Sequence, residues 1–316
     1  MAYIIAEIGF NHGGNVNLAV KMVESAASAG ANAVKFQSFL ASDLYLPDNE
    51  NYALFKAGEL SEEDHLLLRR VAEDNKVDFL STPFSVKWAN FLDKLNPAGF
   101  KVASMDLNNP VLLKAVAQKG RKVYLSTGAS SFLEVKSSLE YLKKWGADDV
   151  CVFHCVSNYP TKPEDACLSR IPEMIDELKV QVGFSDHTLG IYTPLAAVAM
   201  GAEVIEKHFT IDKSLNGPDH AISIDPAELK ELVSAVQDVE KAVKPNEQIA
   251  RPDDNKRAVM RRGIYAGKDI AQGEIITIES LKLVRPEVVP LEELEKIESK
   301  PAVRPYKRND PLKQVL

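Results

Sequence analysis

The chain has 316 residues, 45% hydrophobic content and a formal net charge of −7 from 38 basic and 45 acidic side chains. That length allows a large core plus a smaller module, and the acidic balance argues against a nucleic-acid or membrane-surface partner, since both favour a basic face. The three cysteines, Cys151, Cys155 and Cys167, are too few and too unevenly spaced for a disulfide framework or a zinc cluster; Cys151 and Cys155 sit in an apolar run and read as small buried hydrophobes.

The N-terminus enters a strand pattern at once, leaving no room for a signal peptide. No apolar run approaches the ~20 residues of a membrane span, and a cytoplasmic protein is expected. From there to residue 242 short β-rich runs alternate with amphipathic helical stretches. The runs are Ile4–Ile8, Ala33–Phe36, Val77–Leu80, Phe100–Ala103, Val123–Leu125, Val150–His154, Val182–Phe184 and Val204–Glu206. Eight such runs within roughly the 250 residues of a closed α/β barrel predict a (β/α)8 TIM barrel over 1–242. A doubly wound sheet is the competitor, but Gly13-Gly14 lacks the spacing of its phosphate loop.

Between the strands, Leu18–Ala29 carries apolar residues at helical spacing and stops before Gly30. Ser61 and Asp64 form an acidic capping box for the helix through Leu66–Ala72. Asp225 and Pro226 open the last barrel helix, Pro226–Ala242. Residues 243–256 have no periodicity and read as a linker. Residues 257–316 hold strand-like segments (Gly263–Ala266, Ile275-Ile276, Leu281–Val284) in a module near the lower size limit for an independent core.

In such a barrel the chemistry lies at the C-terminal ends of the strands. Here every end is polar: Glu7 and the loop Asn11 to Gly14, Lys35 and Gln37, Ser81-Thr82, Lys101 and Ser104, Ser126 to Gly128, His154 with Ser157 to Tyr159, Ser185 to His187, and Glu206 to His208. A lysine in a barrel mouth is costly without an anionic partner. Lys35 and Lys101, with hydroxyls at Thr82, Ser104, Ser126 and Ser185, therefore read as a cradle for phosphate and carboxylate. His187 and His208 end consecutive strands in the same phase, so their imidazoles converge on one point if those strands are neighbours. Two histidines among oxygen donors suit manganese, or magnesium or cobalt, better than structural zinc. Such an ion polarises a carbonyl. His154 stands between site and core, and His12 between substrate contact and turn. His65, on a charged helix, is expected to be solvated, and His220 near the rim has no assigned role. An aldolase, a deoxy-sugar-phosphate synthase that uses phosphoenolpyruvate, and a catalytically silent barrel that binds glycan or a partner protein are the alternatives at this point.

The motifs Ile5 to Gly14, Val34-Lys35-Phe36-Gln37, Ser81-Thr82-Pro83-Phe84, Lys101-Val102-Ala103-Ser104, Ser126-Thr127-Gly128, His154-Cys155 with Tyr159-Pro160, Ser185-Asp186-His187-Thr188, Glu206-Lys207-His208-Phe209-Thr210 and Gly217-Pro218-Asp219-His220 occur in order. Together they resemble the sialic acid synthase family: N-acetylneuraminate, legionaminate and pseudaminate synthases and spore-coat polysaccharide relatives. The resemblance implies a TIM barrel followed, over 257–316, by a small antifreeze-like SAF domain of β-clip type, in a domain-swapped homodimer. It implies condensation of phosphoenolpyruvate with an open-chain 2-acylamino sugar, releasing phosphate by C–O cleavage. His187 and His208 would then hold the metal, and Lys35, Thr82, Lys101, Ser104, Ser126 and Ser185 the phosphoenolpyruvate, with Gln37 beside them. Glu7 would bind a sugar hydroxyl or manage a proton, Glu206 position a water, and Ser157 and Tyr159 contact the substrate. Arg285, in Arg285-Pro286, would reach the partner's sugar. Three departures stand out: Glu287-Val288-Val289-Pro290 replaces a glycine-containing stretch, Asp106 stands where many members carry glutamate, and Ser157 where the neuraminate branch has asparagine.

Overall fold

The computed structural model describes residues 2–244 and 253–313. The chain divides into two compact units, residues 1–244 and 245–316. The first is a closed barrel of eight parallel strands, β1 (Tyr3–Gly9), β2 (Ala33–Ser38), β3 (Asp78–Pro83), β4 (Phe100–Val102), β5 (Val123–Ser126), β6 (Val150–Cys155), β7 (Gln181–Asp186) and β8 (Val204–His208), in sequence order. Each expected run overlaps one of these strands, with Val77 and Ala103 falling one residue outside β3 and β4, and most of the other strands extend further toward their C-terminal ends. Pairing of β1 with β8 closes the ring.

Its helices are α1 (Val16–Ser28), α2 (Ala41–Leu44), α3 (Tyr52–Ala57), α4 (Glu62–Asp74), α5 (Val86–Lys94), α6 (Pro110–Ala117), α7 (Phe132–Lys144), α8 (Arg170–Leu178), α9 (Tyr192–Ala199) and α10 (Pro226–Val243). Caps fix their starts. The Ser61 hydroxyl accepts the Asp64 N–H at 3.0 Å while the Asp64 carboxylate accepts the Ser61 N–H at 2.8 Å, and Asp225 and Glu228 repeat the exchange at α10.

Successive strand residues face opposite sides of the wall. Ile5, Ala33, Leu80, Tyr124, Cys151, Phe153 and Val204 form the cluster inside the barrel, while Ile4, Ala6, Val34, Phe36, Val102 and Ile205 pack against the helices. The register carries this alternation upward: Glu7 aligns with Lys35 on one side and His208 on the other, Gln37 with Thr82, and Ser185 with Glu206. Two steps beyond Ile5, Ala33, Leu80, Tyr124 and Val204 the inward positions become Glu7, Lys35, Thr82, Ser126 and Glu206, while β6 ends on Cys155, so the closed floor supports a mostly polar chamber.

The second unit pairs β9 (Gly263–Ala266) antiparallel with β10 (Leu281–Val284) over a core of Ile264, Ala266, Ile270, Ile276, Val289, Ile297, Ala302, Tyr306 and Leu312. Ile275-Ile276, expected as a strand, makes only an isolated bridge from Ile275 to Pro301. Of the stretch expected as linker, 245–252 lies outside the described residues. Its end forms part of helix α11 (Asp254–Met260), capped where Asp253 accepts the Lys256 N–H at 2.8 Å. A last short helix, α12 (Leu294–Ile297), closes the unit. Among the described residues no helix is long and apolar enough to cross a membrane.

Candidate active site in the barrel mouth

A cavity of about 520 Å3 opens at the C-terminal ends of the strands. Every barrel residue picked out as catalytic or substrate-binding lines it: Glu7, Lys35, Gln37, Thr82, Lys101, Ser104, Ser126, Ser157, Tyr159, Ser185, His187, Glu206 and His208. Arg285 lies exposed in the second unit, just beyond β10.

At the base two lysines meet two carboxylates. Lys101 Nζ lies 2.6 and 2.7 Å from the Glu206 oxygens, and Ser185 donates to Glu206 at 3.0 Å. Lys35 Nζ lies 2.8 Å from Glu7 and 3.7 Å from Glu206, and donates to the Thr82 hydroxyl at 3.2 Å. Gln37 donates to Glu7 at 3.3 Å. Burial would raise the Glu206 carboxyl, but Lys101 and Lys35 outweigh it and hold it down at about 2. Glu7 goes the other way: burial pushes it above the ordinary carboxylate range despite Lys35. Two adjacent carboxyls with opposite shifts divide naturally into a fixed anion and a proton carrier. Burial also lowers Lys101, whereas Lys35, against the same burial, is held up by Glu206 and Glu7.

On the β7–β8 side the imidazoles of His187 and His208 have ring centroids 5.6 Å apart, with Tyr159 4.2 Å over His187. The Val156 carbonyl accepts from His187 Nδ1 at 2.7 Å. A carbonyl only accepts, so Nδ1 carries the proton and Nε2 keeps its lone pair. His208 Nδ1 is buried without a hydrogen-bond partner, 3.8 Å from Asp219. Burial lowers both histidines, His187 to about 4, which keeps them in the neutral form that ligates metals. Among the described residues no group of three or more His, Cys, Asp or Glu is placed to hold a metal. The donor set fits an ion held by two imidazoles, with its other positions open to oxygen ligands.

The serines complete the β4–β6 side. Ser104 accepts the Gly128 N–H at 3.0 Å and lies 3.4 Å from Cys155 Sγ. A Cβ on Gly128 would fall 2.5 Å from Ser157 Oγ and 3.0 Å from Cys155 Sγ, so a side chain there would displace these lining groups.

Several strand-end residues turn away from the chamber. His154 bonds the Ala166 carbonyl at 2.7 Å and stacks on Phe184. Lys207 pairs with Asp186, and Ser81 with Ser38, both outside the lining. Thr127 donates to the Phe153 carbonyl. His12, 1% exposed, accepts the Gly14 N–H at 3.0 Å and so shapes its turn. His220 is buried against Thr210 at 2.7 Å. His65 corrects an expectation: it is buried, not solvated, because it shares the inward face of α4 with Leu68 and Ala72, and the Ser38 hydroxyl and Ser61 carbonyl meet its two ring nitrogens. Asp106, at a departure from the family pattern, accepts from Asn109 outside the cavity.

The sequence reading missed Cys155, which lines the cavity although an apolar run hid it, and the apolar flank of Leu44, Tyr45, Phe55 and Met105. Only their place beyond strand ends could have signalled them.

Comparison with known proteins gives a consistent result. The model of the NeuB family matches residues 22–248, and that of the SAF domain residues 261–315. An uncharacterized protein of Methanocaldococcus jannaschii is 42% identical, over 90% of this chain and 85% of that one. N,N'-diacetyllegionaminic acid synthase of Legionella pneumophila is 40% identical, over 90% of this chain and 85% of its own. The crystal structure of N-acetylneuraminic acid synthetase from Leptospira borgpetersenii, in complex with citrate, superposes with a TM-score of 0.76 at 38% identity, covering 81% of this chain and 88% of that one.

Proposed function

Because this chain belongs to the NeuB family and carries a SAF domain, we propose that it makes a nonulosonic acid by condensing phosphoenolpyruvate with an open-chain 2-acylamino sugar. The single observation that carries this reading is the chamber itself, with buried Lys35 and Lys101 at its base and His187 and His208 on its wall.

In this reading Lys35 and Lys101, with Thr82, Ser104, Ser126 and Ser185, bind the phosphate and carboxylate of phosphoenolpyruvate. Charge-assisted hydrogen bonds of this kind are the strong ones. The sugar aldehyde lies on the His187 and His208 side, under Tyr159. A divalent ion held by those imidazoles, manganese first, would act as a Lewis acid on the aldehyde. The enol C3 attacks that carbon, and the positive charge left at C2 faces the anionic Glu206. Glu206 accepts a hydrogen bond from the water that adds to C2. Glu7, raised by burial, holds the proton delivered to the new hydroxyl. The attacking water returns one proton to Glu7; collapse of the C2 hydroxyl to the ketone then breaks the C–O bond, and the second proton leaves with the phosphate. Arg285 of a partner subunit would cap the acyl group in a domain-swapped dimer.

The test is a phosphate-release assay with phosphoenolpyruvate and a panel of 2-acylamino sugars, run in 18O-water. Stoichiometric phosphate free of 18O, with the label in the sugar acid, is expected. Labelled phosphate would mean P–O cleavage and reject the mechanism. Activity that survives full chelation, or His187→Ala, would reject the metal.

A further inference from the structure

On their outer faces β2 and β3 pack Val34, Phe36 and Phe79 against the helices. That apolar pattern breaks at their C-terminal ends, where Ser38 and Ser81 join His65 of α4, all three buried. The acceptors set the direction of these hydrogen bonds. The Ser61 carbonyl takes the hydrogen of His65 Nδ1 at 2.8 Å, so Nε2 keeps its lone pair. The Ser38 hydroxyl donates to Nε2 at 2.7 Å and must then accept from Ser81 at 2.6 Å. Ser81 shares its hydrogen with the Phe36 carbonyl at 3.0 Å. Trp88 and Phe91 of α5 hold the imidazole, at 4.9 Å and edge-on at 6.0 Å.

None of these three side chains lines the chamber, yet the network grips β2 and β3 beside residues that do. Gln37 precedes Ser38, Thr82 follows Ser81, and Gln37 and Thr82 are register partners. Because side chains alternate along a strand, holding Ser38 and Ser81 outward aims Gln37 and Thr82 inward. Their aim matters at the base: Thr82 accepts from Lys35 at 3.2 Å, and Gln37 donates to Glu7 at 3.3 Å. A fully satisfied buried polar network rigidifies its surroundings and specifies one arrangement. Apolar packing, being non-directional, would fill the same space without that selectivity.

We infer that His65 is a positioning residue: through Ser38 and Ser81 it anchors the ends of β2 and β3 to α4, and so fixes Thr82 against Lys35 at the base of the chamber. This rests on the condensation reading above, in which Thr82 and Lys35 bind phosphoenolpyruvate.

Binding of phosphoenolpyruvate to the full chain with manganese is measured by titration calorimetry, with urea midpoints recorded for every variant. His65→Phe keeps a ring against Trp88 and Phe91 but removes the acceptor, whereas His65→Gln sets an amide oxygen near the place of Nε2. His65→Phe should weaken phosphoenolpyruvate about tenfold and His65→Gln less than about twofold, since small misplacements at a site are costly. Both lose the bond to the Ser61 carbonyl and should lower the urea midpoint, but only the loss of Ser38's acceptor should cost affinity. In a Thr82→Val background His65→Phe should add little, because residues that act through one another are not additive. Should His65→Phe not fold, Ser38→Ala breaks the same network and should weaken binding alike. Parent-like affinity in His65→Phe or Ser38→Ala, equal losses in His65→Phe and His65→Gln, or losses of His65→Phe and Thr82→Val that simply multiply, would overturn the inference while phosphoenolpyruvate binding stands. If the parent binds no phosphoenolpyruvate, the condensation reading falls and this inference with it.

Discussion

Lys207 of β8 and Asp186 of β7 form an ion pair on the outer face of the barrel wall, with side chains 1% and 0% exposed and Nζ 2.5 Å from Oδ2. Lys207 also donates to the Thr188 carbonyl, and Asp186 accepts the Thr188 N–H at 2.9 Å and its hydroxyl at 3.1 Å. The pair joins the strands that carry His187 and His208, each one residue from a chamber histidine. Removing one partner leaves a buried charge unpaired, at a cost of about 3–5 kcal/mol. Lys207→Met should therefore lower the urea midpoint strongly, and Lys207→Met with Asp186→Leu should recover much of the loss. A single variant as stable as the parent would contradict the role of the pair.

Lys101→Met removes one lysine of the proposed phosphoenolpyruvate cradle and releases Glu206 from its closest partner. The KM for phosphoenolpyruvate should rise at least tenfold, since truncating a buried hydrogen-bonded charge pair commonly costs about 2–5 kcal/mol. Steady-state kinetics with each substrate varied in turn decides. An equal rise in the KM for sugar would count against a cradle.

All six histidines are held below the ordinary imidazole range, burial being the leading cause at each, and His12 and His187 are lowered to about 4. The unfolded chain then binds more protons than the folded one between about pH 6.5, the free imidazole value, and each folded value. Stability is thus complete above about pH 6.5 and is lost as pH falls toward 4, by up to about 1.4 kcal/mol per pH unit for each histidine. Chemical denaturation of the metal-free protein across this window should show the slope, and His12→Gln should reduce it. A slope unchanged in that variant would refute the contribution of His12.

Gly58→Ala forces a methyl toward the Phe10 ring. Overpacking of this kind costs about 1–3 kcal/mol, and the strain falls on the seat of α3. If the proposed condensation holds, the sugar KM should rise several-fold while the KM for phosphoenolpyruvate, proposed to bind at the base, stays put. The two KM values moving together would place the seat elsewhere.

Much of the chamber was legible because two periodicities coincide. Apolar runs place the strands, and the rule that barrel chemistry lies at their C-terminal ends selects Glu7, Lys35, Lys101, Ser185, Glu206 and His208. Parity was harder. His154 and Lys207 each sit one residue from a lining position, at Cys155 and His208, and only the register shows that they face the helices. The apolar flank was invisible for another reason. In a sequence Leu44 and Phe55 look like core, and only the fold reveals that their neighbours fill one side and leave the other open. His65 failed in the opposite sense, since its charged helix neighbours gave no sign of Ser38 arriving from β2.

The resting pairs Lys35–Glu7 and Lys101–Glu206 have a consequence for the ions of a crowded solution. A stray chloride or phosphate finds each ammonium already engaged by a carboxylate of its own chain. The chamber thus competes against its own occupants, and a visitor must displace an internal rival at each lysine it claims. A ligand with one anionic group can dislodge one; a ligand with two groups on a rigid frame can dislodge both at once. For the proposed doubly anionic substrate, the number and spacing of charges would then be a sharper criterion than charge alone.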